Sequence, residues 1–255
     1  MKPVLEVKKV VKVFGTKENQ HVALNGIDVR VEEGEFVGIM GPSGAGKTTL
    51  LNVVSTIDTP TSGDIVIDGK NIGTLKEHEM DTFRREKLGF IFQDYNLLDS
   101  LTLRENIALP LALSKVNAKE IEGRVQEIAK KFGIHAILDQ YPHQVSGGQK
   151  QRCAASRAIV TNPSLIFGDE PTGALDSKSA TNLLESLKNL NEKEKATIMM
   201  VTHDAFAASY CQRVLVIKDG VVFTELQKEQ GSRKQFFNQI LDVMGKIGGD
   251  DHDIV

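Results

Sequence analysis

The sequence predicts an α/β fold with three parts: a parallel core sheet, an antiparallel β subdomain, and an inserted helical lobe. Three observations carry the prediction. The apolar run Phe36-Val37-Gly38-Ile39-Met40 leads through a glycine-rich loop into Thr49-Leu50-Leu51-Asn52-Val53-Val54, which reads as strand, loop and buried helix in succession. Leu165-Ile166-Phe167 and Thr197-Ile198-Met199-Met200-Val201 are apolar without alternation, as strands buried on both faces are. From about residue 96 to 161 the pattern turns helical.

The elements follow in chain order. Val7, Val10, Val11 and Val13 are β-branched, and Gly26-Ile27-Asp28-Val29-Arg30-Val31 alternates apolar and polar, so the opening segment reads as strands. Glu33-Gly34-Glu35 is a turn. Asp64-Ile65-Val66-Ile67-Asp68, following Gly63, is one arm of a hairpin closed by Asp68-Gly69. Gly89-Phe90-Ile91-Phe92 is a short buried strand ending at Gln93. Within the helical stretch, Thr102-Leu103-Arg104-Glu105 and Asn117-Ala118-Lys119-Glu120 read as capping boxes. Ile121, Val125, Ile128 and Phe132 then share a face. The core resumes at Pro163. Leu183, Leu184, Leu187 and Leu190 mark a helix, and Val214–Ile217 and Val221–Phe223 flank Lys218-Asp219-Gly220 as a hairpin. Phe236, Phe237, Ile240, Leu241 and Met244 recur at helical spacing, predicting a helix against its own domain or a dimer mate. The composition of Gly248-Gly249-Asp250-Asp251-His252-Asp253 predicts disorder, with His252 in a frayed tail rather than a metal site.

Of 255 residues, 40% are hydrophobic and 25% charged, which suits one large α/β domain or a core with a smaller lobe. A net charge of −3 argues against a nucleic-acid footprint. No apolar run approaches the length of a bilayer span, and Met1-Lys2-Pro3-Val4-Leu5-Glu6 is not patterned as a signal peptide. Two cysteines, Cys153 and Cys211, fit a reducing cytoplasm. Cys153 reads as a small buried hydrophobe, and neither reads as a catalytic thiol.

The glycine loop is Gly41-Pro42-Ser43-Gly44-Ala45-Gly46-Lys47-Thr48, and it matches G-x-x-x-x-G-K-[ST] at every fixed position. Such glycines let successive N–H groups turn inward around phosphate oxygens, and the helix N-terminus adds its partial positive charge. This is a nucleoside-triphosphate site, to which Thr49 also belongs. Lys47 is expected on the β- and γ-phosphates and the Thr48 hydroxyl on Mg²⁺. Asp169-Glu170 ends an apolar strand. Ligands in doubly wound sheets bind beyond strand carboxyl ends, so this pair and the loop share one site. Asp169 is expected to hold Mg²⁺, directly or through water, and Glu170 to act as general base on the attacking water.

The phosphate loop, Gln93, Val145-Ser146-Gly147-Gly148-Gln149, Asp169-Glu170-Pro171, Ala174-Leu175-Asp176 and His203 occur in the order of an ABC transporter ATPase subunit. The chain resembles that family from about residue 4 to 225. The resemblance implies a P-loop NTPase of the ABC-ATPase fold. Residues 1–230 form a single ATPase domain, with core 1–93 and 162–230 and a lobe at about 94–161; residues 231–255 form a C-terminal helix and tail. It also implies an ATP hydrolase using ATP and Mg²⁺. By the same resemblance, Gln93 touches Mg²⁺ and the water, and His203 contacts the γ-phosphate. Ser146, Gly147, Gly148 and Gln149 read the nucleotide held by the opposite subunit. Asp176 lies at the dimer seam, and Phe14 stacks on adenine. Val145 stands where leucine is usual and Phe14 where tyrosine is. Gly168 interrupts its strand, where glycine permits close backbone approach.

Gly89–Leu98, Gly168–Asp176 and Ala207–Cys211 resemble the ATPases of bacitracin-type antimicrobial-peptide resistance transporters, in the clan of macrolide-export, lipoprotein-release and cell-division ATPases. That likeness implies a homodimer in the ATP-bound state at the cytoplasmic face of the membrane. It implies an integral permease with a large extracytoplasmic domain that contacts a peptide or lipid-peptide ligand, and no nucleic acid. Tyr95-Asn96-Leu97-Leu98 is expected to help form the groove for the permease. The alternative is a mechanotransmission or sensing ATPase with nothing translocated. A soluble ABC protein acting on DNA or ribosomes would need a coiled-coil insertion, a second nucleotide domain or a basic surface.

Overall fold

The computed structural model describes residues 2–16, 19–229 and 231–249. Strands β1 (Pro3–Thr16) and β2 (Asn19–Glu32) pair antiparallel, with Phe14 opposite His21. Strands β4 (Ser62–Ile67) and β5 (Lys70–Asn71) extend this sheet in the order β2-β1-β4-β5. Asp68 (φ 47°) and Gly69 (φ 77°) join them in the doubly left-handed turn that matches strand twist.

The second sheet contains β3 (Phe36–Met40), β6 (Leu88–Phe92), β7 (Leu165–Asp169), β8 (Ile198–Val201), β9 (Arg213–Lys218) and β10 (Val221–Gln227), in the order β10-β9-β3-β8-β7-β6. All its pairs are parallel except β10 with β9. Residue parity explains why the central strands are apolar throughout. Phe36, Met40, Ile166, Ile198, Met200, Val214 and Val216 enter one core; Val37, Ile39, Leu165, Phe167, Met199, Val201, Leu215 and Ile217 enter another. Successive side chains point to opposite faces, and both faces are covered. The first core is shared with the helices from Leu103 onward, the second with the β subdomain, the helix after the phosphate loop and Phe83.

The helices are α1 (Lys47–Val54), α2 (Glu77–Lys87), α3 (Leu103–Leu113), α4 (Ala118–Lys131), α5 (Gly147–Ile159), α6 (Ser177–Glu194), α7 (Ala205–Ala208) and α8 (Arg233–Gly249). Among the described residues no helix is long and apolar enough to cross a membrane. Thr102 and Glu105 close the capping box of α3. The second predicted box is half made. Asn117 accepts from Lys119 N at 3.0 Å, but Glu120 pairs with Arg124 one turn on. A charge-assisted bond to a guanidinium outcompetes a neutral amide. Residues 96–101 lie outside any helix, so regular helix begins only at Leu103.

Helix α8 packs on its own domain. Phe236, Ile240 and Ile247 are buried in the first core, while Leu241 stays 45% exposed. The disorder expected from Gly248 onward is corrected for Gly248 and Gly249, which end α8; residues 250–255, with His252, lie outside the described residues. Helix α2 is an element the apolar pattern misses, because only Phe83 of its residues is buried. Of the leucine pair after Gln93, Leu97 packs on the core and Leu98 is 47% exposed.

Candidate active site

The loop 41–46 leaves the carboxyl end of β3 and enters α1. Gly46 caps α1 in left-handed geometry (φ 99°) without a side-chain hydrogen bond. A Cβ there would sit 2.4 Å from Ala23 O, so only glycine fits. The helix therefore presents its N-terminus to a ligand instead of capping it. Lys47 Nζ folds over the loop and donates to Gly41 O at 2.9 Å and Pro42 O at 2.8 Å. Burial pushes this ammonium below its ordinary pKa, and the charges of Glu170 and Asp169 pull it back.

Those two carboxylates stand at the end of β7. Burial, then the neighbouring Glu170 charge, raise the Asp169 pKa, and Lys47 opposes both. Glu170 has φ 45°, rare for a residue with a side chain. The fold holds it there: Glu170 N donates to Val201 O, and Glu170 O accepts from Gly173 N, both at 2.9 Å. Such strain persists where surrounding structure over-determines it, commonly at reactive sites. His203, after β8, places Nδ1 2.9 Å from Glu170 Oε1. To an ionised carboxylate this contact is a hydrogen bond only in a form of the ring that carries a proton on Nδ1.

Gln93 follows β6 and lies against the 170–173 turn, where a Cβ on Gly173 would come within 3.1 Å of Gln93 Cδ. The turn is fixed by Gln151, a residue sequence reasoning missed. Its buried amide donates to Phe92 O at 3.0 Å and Pro171 O at 2.6 Å, joining the ends of β6 and β7. The available signal was a polar residue three and four positions before Ala154 and Ala155, on the helix face those buried alanines share. Gly168 does not serve close backbone approach, contrary to expectation. The nearest atoms a Cβ there would meet are side-chain atoms of Pro171 and Met200, at the ordinary contact distances of 3.4 and 3.6 Å.

Phe14, His21, Ala23 and residues 44–49 line a cleft of about 240 Å³. Phe14 is 42% exposed beside the loop. His21 and Ala23 come from β2 and carried no local motif; only the β1–β2 register brings them here. Thr48 lines the same cleft. Thr48, Asp169 and Gln93 offer only hard oxygens, and among the described residues no cluster of three His, Cys, Asp or Glu forms a metal cage. A single carboxylate with a hydroxyl and an amide, completed by phosphate and water, is a donor set that fits Mg²⁺.

Ser146 caps α5. Ser146 N donates to Gln149 Oε1 at 2.8 Å and Gln149 N to Ser146 Oγ at 3.3 Å, so the Gln149 side chain is engaged within its own helix. Gly148 is packed so closely that a Cβ would lie 2.5 Å from Ser179 Oγ. Ser179 Oγ in turn donates to Asp176 Oδ2 at 2.7 Å, the bond that does most to lower the Asp176 pKa. Residues 146–149 are absent from the lining of the Phe14 cleft. The structure thus brings Lys47, Asp169, Glu170 and His203 together, and groups 146–149 with Asp176 separately.

A family model described as ABC transporter matches residues 24–173. The chain is 54% identical over 250 residues to the bacitracin export ATP-binding protein BceA of Halalkalibacterium halodurans, covering 98% of this chain and 99% of that protein. It is 43% identical over 225 residues to the macrolide export ATP-binding/permease protein MacB of Mannheimia succiniciproducens, covering 88% of this chain and 35% of that protein. A solved relative is the ATP-binding cassette MJ0796 of Methanocaldococcus jannaschii, a dimer in a post-hydrolysis state bound to ADP and Pi. It aligns with TM-score 0.80 and 39% identity over 88% of this chain and 98% of that one. The motif order, the site and these likenesses agree: the chain belongs to the ABC transporter family, as an ATP-binding subunit that hydrolyses ATP.

Proposed function

We propose that this subunit powers a membrane permease that removes bacitracin-like antimicrobial peptides or confers resistance to them. The observation that carries the reading is the end-to-end likeness to the bacitracin export protein, 54% identity across 98% of the chain. Residues 1–230 act as one ATPase domain, with the helices of 94–161 as its lobe. It works as an ATP-bound homodimer on the cytoplasmic face, attached through a permease with a large extracytoplasmic domain that meets the peptide.

Each residue has a role in this scheme. The loop 41–46 and the start of α1 bind the phosphates, and Lys47 transfers its hydrogen bonds from loop carbonyls to phosphate oxygens. Thr48, Asp169 and Gln93 would hold Mg²⁺, which would supply positive charge to neutralise the phosphates. Phe14 stacks on adenine. Glu170, held in its strained conformation, orients the water and takes its proton. His203 steadies Glu170 beforehand. To donate to the γ-phosphate its ring leaves the carboxylate or carries both protons. Ser146, Gly147, Gly148 and Asp176 complete the site from the opposite subunit. The permease dock combines Tyr95-Asn96-Leu97-Leu98 with a cleft of about 290 Å³ between β6 and α3, which those four residues do not line and which is lined by Phe90, Phe92, Leu109, Pro110 and Leu113. Arg157 supports its edge by donating to Tyr95 O and Asn96 O, which fixes the segment after Gln93.

The test is to express Glu170→Gln in the native host, solubilise membranes with ATP and identify what co-purifies, alongside bacitracin susceptibility of a strain lacking the gene. A large-ectodomain permease and raised susceptibility are expected. A small four-helix partner with unchanged susceptibility would favour the mechanotransmission branch. Recovery of ribosomes or nucleic acid without a permease would sink the transport reading.

A further inference from the structure

The ammonium of Lys12 takes no part in the chemistry above, yet it stands over the ring of Phe14, which lines the nucleotide cleft. Lysine normally extends its charge to water. Lys12 is only 9% exposed. Its Nζ donates to Asp58 Oδ1 at 2.7 Å and Thr59 O at 2.8 Å. Asp58 belongs to the segment leaving α1, and its N–H donates to Asn52 O of that helix at 3.0 Å. The ammonium is thereby fixed to the helix that starts at the phosphate loop. Its Nζ lies 4.9 Å from the centroid of the Phe14 ring, within cation–π range.

Two consequences follow from elementary electrostatics. An aromatic face is electron-rich, so a fixed cation on one side holds the ring against rotation. The cation also draws π density toward itself, leaving the far face better suited to an electron-rich purine. Phe14 is 42% exposed and lines the cleft with residues 44–49. It lacks the hydroxyl by which a tyrosine could be anchored, and its polar contact is made through the ring face.

We infer that Lys12 is a positioning residue for the nucleotide base: anchored by Asp58 and Thr59, its ammonium fixes and polarises one face of Phe14 so that the other receives the adenine ring. The inference rests on the reading of Phe14 as the stacking residue.

The experiment titrates ATP and, separately, inorganic triphosphate into the non-hydrolysing Glu170→Gln protein by calorimetry, each with excess Mg²⁺. Lys12→Met keeps the packed stem and removes the charge. It should raise the Kd for ATP about three- to tenfold and leave that for triphosphate unchanged. Lys12→Arg should restore most of the affinity. Asp58→Asn, which loosens the anchor but keeps the ammonium, should shift ATP in the same direction by less, and serves if Lys12→Met folds poorly. In a Phe14→Leu background Lys12→Met should add nothing. Unchanged ATP affinity in Lys12→Met, an equal loss for both ligands, or additivity with Phe14→Leu would overturn the inference while leaving Phe14 as the platform. Unchanged ATP affinity in Phe14→Leu itself would overturn the stacking reading and the Lys12 inference with it.

Discussion

Helices α1 and α5 both start in glycine-rich loops, and their N-termini are finished in opposite ways. Helix α1 is capped by Gly46, with no side chain to satisfy its N–H groups. Helix α5 is capped by Ser146, which with Gln149 closes a reciprocal box and satisfies part of its own end. A helix N-terminus attracts anions in either case. The uncapped end has no side-chain partner for its N–H groups, which suits it to the phosphate-binding role proposed for it. The capped end is stable alone, and its Gly148 is pressed on Ser179 and, through it, linked to Asp176. One end is an open receptor. The other is a preformed surface suited to nucleotide already held elsewhere.

The largest effect should come from joining the two ends without turnover. Glu170→Gln should slow hydrolysis roughly 10²–10⁴-fold, the usual contribution of a general base, while retaining ATP. Size-exclusion with ATP should then show a dimer. A monomer would break the idea that the α5 end reads nucleotide in trans.

Glycine substitutions separate the two ends next. Gly46→Ala places a Cβ against Ala23 O in a left-handed backbone, and that strain should weaken ATP binding by the monomer about tenfold or more. Gly148→Ala meets the Ser179 hydroxyl instead. It should leave monomer affinity unchanged and abolish the ATP-dependent dimer. Equal losses of affinity in both variants would erase the distinction.

Smaller still, Ser146→Ala removes a cap and should cost about 1 kcal/mol, read as a lower denaturant midpoint of the nucleotide-free protein. An unchanged midpoint would mean the box contributes nothing to the fold. The smallest effect concerns Asp169. Burial raises its pKa in the folded state, so the folded protein holds that proton more tightly than the unfolded chain. The associated stability is full below the ordinary aspartate pKa and is lost as pH rises from there through the raised folded-state value. At neutral pH Asp169→Asn should therefore raise the melting temperature slightly while impairing hydrolysis, and the gain should vanish in acid. A gain that persists in acid would refute burial of charge as its cause.

Local motifs made much of the molecule legible. The β3–loop–α1 unit was readable because its glycines, Lys47 and Thr48 are contiguous, with an apolar strand before them and a helix after. Two Asp-Gly turns announced their hairpins for the same reason. Helix α2 escaped notice because its one buried residue, Phe83, leaves no apolar period to detect. The capping pattern at Asn117 misled because Glu120 had Arg124 within reach, a competition that spacing to the cap does not reveal. His21 and Ala23 were invisible because the β1–β2 register, not neighbours in sequence, delivers them to the cleft.

The strand–loop–helix unit, the parallel strands implied by runs apolar on both faces, and the candidates for reactive residues were all present in the sequence. These depend on backbone geometry and residue chemistry within a few positions of one another. Tertiary structure alone decided how those groups are held. Gln151 reaches Phe92 and Pro171, 59 and 20 residues away, to lock the turn beneath Glu170. His203 meets Glu170 across 33 residues, and Lys12 is fixed to Asp58 across 46. A hydrogen bond between distant segments exists only once the fold has set both about 3 Å apart, and no periodicity in one segment encodes the position of the other.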